Sequence, residues 1–242
     1  MDALQTEKRA EKLTKLMEAV HNRMVFIRRG FDGMPWLNIL LLTPNEFTAK
    51  SLHAVNPTTG KRLGKLFILG LSLSSLLSIP EQENFLSAVA QLMEEFDHYC
   101  DSDGKSQNVL MTTPTTTSSS MKMSFGLGRG TDILKGKLRT SGNFIIYEFL
   151  KVLPIPFEER LDFSIVVLTL CDILDQAYMK ICQGTVDPSK SYLDAAGKFD
   201  HKINKYFFDF VLKLLNEIST SVVQTELSDL GSVVALNRSR KV

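Results

Sequence analysis

Catalytic and metal centres draw on residues of which this chain has few: among its 242 residues are three cysteines, four histidines and one tryptophan. The odd, sparse set Cys100, Cys171 and Cys182 excludes a disulfide framework and suits a reducing compartment. Cys171 and Cys182 lie about three helical turns apart, so they share a face without being able to bridge, and they read as small buried hydrophobes. Charge of one sign is also lacking. With 28 basic and 27 acidic residues the net charge is +1, which leaves no global field to attract nucleic acid. Two local basic clusters, Arg23/Arg28/Arg29 and Arg238/Arg240/Lys241, read as a solvated helix end and a polar terminus.

Long hydrophobic runs are missing as well. The most apolar stretch, Leu66 to Ile79, has 14 residues including four serines and a glycine, short of the roughly 18–20 that span a bilayer. The charged start MDALQTEKRAEKL carries no early apolar run of the secretory type, and no lipidation signal is visible, so a cytoplasmic protein is expected. What is present is ordinary for a globular domain: 44% hydrophobic and 23% charged residues, in a chain long enough to bury a core.

The apolar residues recur mostly at helical spacing. Leu13, Leu16, Met17, Val20, Met24 and Ile27 mark a first amphipathic helix, broken near Gly30–Pro35. The run WLNILLLT (36–43) is Leu-rich rather than β-branched, which favours a helix. Thr43-Pro44 reads as an N-cap and first-turn pair opening a short helix to about Ala54. Further helices are predicted over 61–78 and from a Ser78/Glu81 capping box to about Tyr99. Another, interrupted by Gly136 and Gly142, is predicted over 131–152. Residues 158–183 are apolar around most of the helical girth and belong at a bundle centre. Asp187-Pro188 predicts the start of a last main helix to 219, with the stripe Tyr192, Ala196, Phe199, Ile203, Phe207, Phe210, Val211, Leu214 and Ile218. From Thr220 the chain reads as a fraying polar tail, although Leu227, Leu230, Val233 and Val234 can make one short docking helix. No convincing strand alternation and no repeat appears. The expected fold is an all-α bundle of about six or seven helices. The expected organisation is an N-terminal helical region (1–100), a flexible Ser/Thr/Gly-rich loop (101–130), a C-terminal helical region (131–219) packing with the first as one domain, and a tail (220–242).

The motifs that carry chemistry fail on their spacing. FGLGRGTD, with Gly126, Gly128 and Gly130, lacks the preceding strand and third-glycine position of a dinucleotide fingerprint. Neither Gly60-Lys61 nor Gly64-Lys65 has the upstream glycine and following hydroxyl of a P-loop. Asp97, His98, Cys100, Asp101 and Asp103 cluster, but zinc sites pair two separated ligand sets, and a calcium loop from Asp101 would close on a glutamate where Thr112 stands. No metal, cofactor or catalytic residue is therefore expected. Thr113, Ser118, Ser119, Ser120 and Ser124 are candidate phosphoacceptors near Lys122 and Arg129.

These features predict a non-enzymatic helical interaction or adaptor protein, a subunit or scaffold of an intracellular complex. Its expected docking anchors on a partner protein are Leu13, Leu16, Met17 and Val20 of the first helix. One alternative is a helical enzyme or small-molecule carrier with an inter-helix pocket around Asp172, Asp175 and His201. Another is a peripheral membrane adaptor, with weak or indirect contact through the first helix and its arginines.

Overall fold

A helix that is apolar on most sides needs neighbours on several of them, and α5 (Phe163–Cys182) is such a helix. α1 (Ala3–Phe31) and α3 (Thr59–Leu76) lie along it, and α4 (Gln82–Asp101) touches a further side. α6 (Lys190–Ile203) packs on α4 and runs through a π turn, Asn204–Phe208, into α7 (Asp209–Ser239). The short α2 (Ala49–Val55) fits between α3 and α7. The computed structural model describes residues 3–33, 35–37, 40–101, 109–111, 134, 136–141, 144–153, 161–183 and 188–239. Seven α-helices dominate those residues, and the all-α bundle expected from the periodicities is the observed architecture. None of the described helices is long and apolar enough to cross a membrane.

Local chemistry sets the helix starts. Asp162 accepts the Ile165 N–H at 2.9 Å and opens α5; Ser189 accepts the Tyr192 N–H at 3.1 Å and opens α6. The predicted Asp187-Pro188 start thus lies two residues early. Thr43 and Glu46 form a reciprocal capping box around a 3₁₀ turn, Pro44–Phe47, after which Thr48 caps α2. One predicted helix is therefore two short ones. Ser78 is not the N-cap of the predicted box: α4 starts at Gln82, just after Glu81, and the Ser78 hydroxyl donates back to the Ser75 carbonyl.

Three further expectations are corrected. The described residues of 36–43 are not helical: Trp36 and Leu40 form an isolated antiparallel bridge, and Leu37 sits at φ +53°. Tertiary contact overrides leucine propensity here, since the Trp36 ring packs 4.7 Å from Phe26 and its Nε1 donates to Asn216 of α7 at 3.2 Å. Residues 131–152 supply strands instead of a helix. β1 (Val109–Met111), which lies within the 101–130 segment expected as a loop, pairs parallel with β3 (Phe144–Tyr147), and β2 (Arg139–Ser141) pairs antiparallel on the other side. The Ile145-Ile146-Tyr147 run suits a strand, and its signal is too short to register as alternation. Finally, the predicted frayed tail continues as α7 to Ser239. Ser219, Thr220 and Thr225 each donate to the carbonyl four residues back, so these polar side chains are satisfied on the helix itself.

The sheet is tied to α4 by a buried carboxylate. Glu95 accepts the backbone N–H groups of Glu148, Phe149 and Leu150 at 2.8–3.0 Å, plus the Gln91 amide at 3.0 Å. A buried charge persists only when its lone pairs are filled, and these four donors fill them. Gln91 in turn accepts the Lys137 N–H at 2.8 Å. The neighbouring Gly136 lies so close to α4 that a Cβ there would sit 2.3 Å from the Ala90 carbonyl oxygen.

Gly136→Ala should consequently lower stability by roughly 1–3 kcal/mol, because the obstructing atom is backbone and cannot rotate away. Gly197→Ala, on an exposed stretch of α6 with nothing within 4 Å, should raise it by about 0.5–1 kcal/mol. Thermal melting of the two variants measures the difference; shifts of the same sign would contradict this account of the α4–sheet contact.

Candidate interaction surface

α7 has two halves of opposite character. Phe210, Val211, Leu214, Leu215 and Ile218 are buried, and Leu212 and Val222 are partly buried against the core. Beyond that point the same kind of residue faces solvent: Val223 is 38% exposed, Leu227 63% and Leu230 60%. The three are spaced by four and then three residues, so they align on one face of the helix. Glu226 and Asp229 lie exposed between them. Val223 stands two turns beyond Asn216, the acceptor of the Trp36 indole, so the 35–42 turn sits at the base of this stripe. That turn exposes two more leucines, Leu37 and Leu41, each by more than half. Leu37 holds a left-handed backbone, a conformation that costs a non-glycine residue free energy and recurs at functional positions.

The anchors predicted on α1 are placed differently. Leu13 and Val20 are 2% and 1% exposed, and Leu16 and Met17 are half-buried. α1 lies against α5, α6 and α7, so its stripe is already covered by its own chain and is not an open docking face. Its arginines are engaged too. Arg28 donates to Asp172 at 2.7 Å, and Arg23 bonds Asn204 and reaches Asp200 at 3.4 Å. The basic cluster predicted for an anionic surface is thereby largely drawn into ion pairs within the bundle.

The residues predicted for an inter-helix pocket are dispersed. Asp172 pairs with Arg28 and Asp175 faces His21 at 3.6 Å, both at the α1 seam, whereas His201 is exposed on α6. Among the described residues no group of three or more His, Cys, Asp or Glu side chains is placed to hold a metal. His98 instead bonds the Tyr147 hydroxyl at 2.7 Å. Burial pushes the Cys100 thiol up to about 11 and those of Cys171 and Cys182 to about 12, so all three stay as thiols at neutral pH. The candidate phosphoacceptors Thr113, Ser118, Ser119, Ser120 and Ser124, and the glycines from Gly126 to Gly130, lie outside the described residues.

The end of α4 is joined to α6 and the π turn through Asp97. Lys202 pairs with both Asp97 and Glu94, and the Tyr206 hydroxyl donates to Asp97. Burial pushes the Asp97 carboxyl up, but the bonds from Lys202 and Tyr206 and the charges of Lys202 and Lys205 outweigh it and hold it below the ordinary value of 3.8. A carboxyl lowered by folding contributes stability above its unfolded pKa and loses it as pH falls through the folded one. Asp97→Asn should therefore lower the melting temperature at pH 7, and the gap to the unmodified chain should close below about pH 4. A gap that stays constant into acid would show that the carboxylate charge contributes nothing.

No protein-family model matches this chain, and neither a curated protein nor a solved structure matches it.

Proposed function

We propose that the chain is a non-enzymatic helical adaptor whose working surface is the exposed end of α7, and that it binds an apolar helix of another protein in an intracellular complex. The observation that carries this reading is the stripe Val223, Leu227 and Leu230 on a helix that leaves the core after Val222. Anchors spaced four and then three residues apart are what helix-on-helix recognition uses. Burying a leucine of this kind contributes about 1.5–3 kcal/mol, so two or three anchors supply a useful fraction of a micromolar affinity. Leu37 and Leu41 extend the apolar area at the base of the stripe. The carboxylates Glu95, Asp97 and Asp172 each meet backbone or basic partners within the bundle, which supports a binding role over a catalytic one. Three thiols held protonated by burial suit a reducing, cytoplasmic setting.

The test combines stability with cross-linking. Leu227→Glu and Leu230→Glu should each change the unfolding free energy by no more than is typical of a surface site, about 0.5 kcal/mol. A photo-cross-linking side chain at position 227, in cells, should give an adduct with a different protein, and Leu230→Glu should abolish it. A large loss of stability would place the stripe in the core. The absence of any adduct, or an adduct with a second copy of the chain alone, would also contradict the proposal.

A further inference from the structure

The first turn of α3 holds a polar atom that its surroundings leave unpaired. Thr59 is 2% exposed, yet its hydroxyl has no hydrogen-bond partner. A threonine in a helix commonly settles this by donating to the carbonyl four residues back, as Thr220 and Thr225 do on α7. Thr59 does not, and a buried hydroxyl without a partner costs free energy. The residue stands in the wall of a half-enclosed cavity of about 540 Å³ between α2, the start of α3 and Leu161. That volume is in the range of small-molecule sites.

The backbone beside Thr59 favours the same kind of ligand. Asn56 takes the N–H groups of Thr58 and Thr59, through its side chain at 3.1 Å and its carbonyl at 3.0 Å. The regular ladder begins where the Arg62 N–H meets the Thr58 carbonyl at 3.1 Å. Gly60 lies between, on the cavity wall. Thr58, the residue placed to cap this turn, donates its hydroxyl to Asn56 Oδ1 at 2.8 Å and makes no side-chain cap. The positive end of an 18-residue helix, without a side-chain cap, therefore sits beside an unpaired hydroxyl. Both suit a ligand group that accepts hydrogen bonds and carries negative charge.

The rest of the wall sets the ligand's size and charge. Leu52, Pro57, Leu63 and Leu161 give the cavity an apolar side. Lys50 and His53 line it from α2; both are exposed, and neither bonds or pairs with another residue. Lys61 also lines the cavity but has a partner of its own, so Lys50 is the cation that counts here. One available ammonium matches one negative charge, and the leucines match an apolar body better than a second anionic group.

We infer that this cavity binds a small monocarboxylate with an apolar body. The Thr59 hydroxyl and the Gly60 N–H donate to the carboxylate oxygens, Lys50 offsets the charge, and the chain or ring of the ligand lies on the leucines. The site does not use the stripe on α7, so the failure of either reading leaves the other standing.

The test uses the full chain with octanoate and with naphthoate, a flexible and a flat carboxylate of the same charge. Calorimetric titration should show saturable one-to-one binding of at least one of them, and the melting temperature should rise with its concentration as ligand linkage requires. Octanol keeps the apolar body without the charge, and inorganic phosphate keeps charge without the body; each should bind roughly tenfold more weakly or worse. Thr59→Val should melt no lower than the unmodified chain, because no native hydrogen bond is lost, and should weaken carboxylate binding roughly tenfold. Thr59→Ser, which keeps the hydroxyl, should bind within about twofold of the unmodified chain. Lys50→Gln should weaken carboxylate binding and leave octanol unaffected. The inference is overturned if neither carboxylate binds, if Thr59→Val or Lys50→Gln leaves carboxylate binding intact, or if octanol or phosphate binds as tightly. A Thr59→Val chain that unfolds also contradicts it, since the hydroxyl would then serve the fold.

Discussion

The seating of α1 on the bundle is the constraint from which the rest follows. Leu13, Val20, Met24 and Ile27 are removed from water along α5 and its neighbours. At about 1.5–3 kcal/mol for each buried side chain, this seam is a large part of what a domain of marginal stability can lose. Arg23 and Arg28 fix its register, one on the α6–π-turn junction and the other on α5. With the N-terminal helix used inside, no described element covers the far half of α7. The exposed stripe there is the consequence, and it is the surface on which the proposed function rests.

A second constraint operates at α4. That helix carries Gln91 and Glu95 on its inner face, and both terminate backbone N–H groups of the sheet segment rather than meeting solvent. Its last turns carry Asp97, which accepts the Tyr206 hydroxyl of the π turn. One helix therefore anchors the sheet on one side and the π turn on another. Movement of α4 relative to α6 would be felt at both places, since Lys202 joins them through Glu94 and Asp97.

Much of the fold was legible because it rests on long periodic stripes. The bundle class, the central position of α5 and the buried stripe from Tyr192 to Ile218 all follow from spacing. What was not legible depended on contacts distant in sequence. Trp36 bends its leucine-rich neighbourhood by reaching Asn216, 180 residues away. Glu95 is engaged by the N–H groups of 148–150, which lie 53–55 residues away and leave no local signal on its helix. The cavity at the start of α3 gathers Lys50, Thr59 and Leu161 from segments that no local motif connects. For the interaction surface, periodicity identified α1 as amphipathic but could not say whether its apolar face meets its own domain. Leu227 and Leu230 were visible as a short docking helix, yet the polar residues before them disguised its continuity with α7.

Amide hydrogen exchange on the isolated chain tests the central claim most directly, since local protection reports which segments open only with the whole fold. The account predicts that amides of α1 from Leu13 to Ile27 exchange as slowly as those of α5, while those from Val223 to Leu230 exchange faster by orders of magnitude. Rapid exchange throughout α1, or core-like protection at the end of α7, would contradict it.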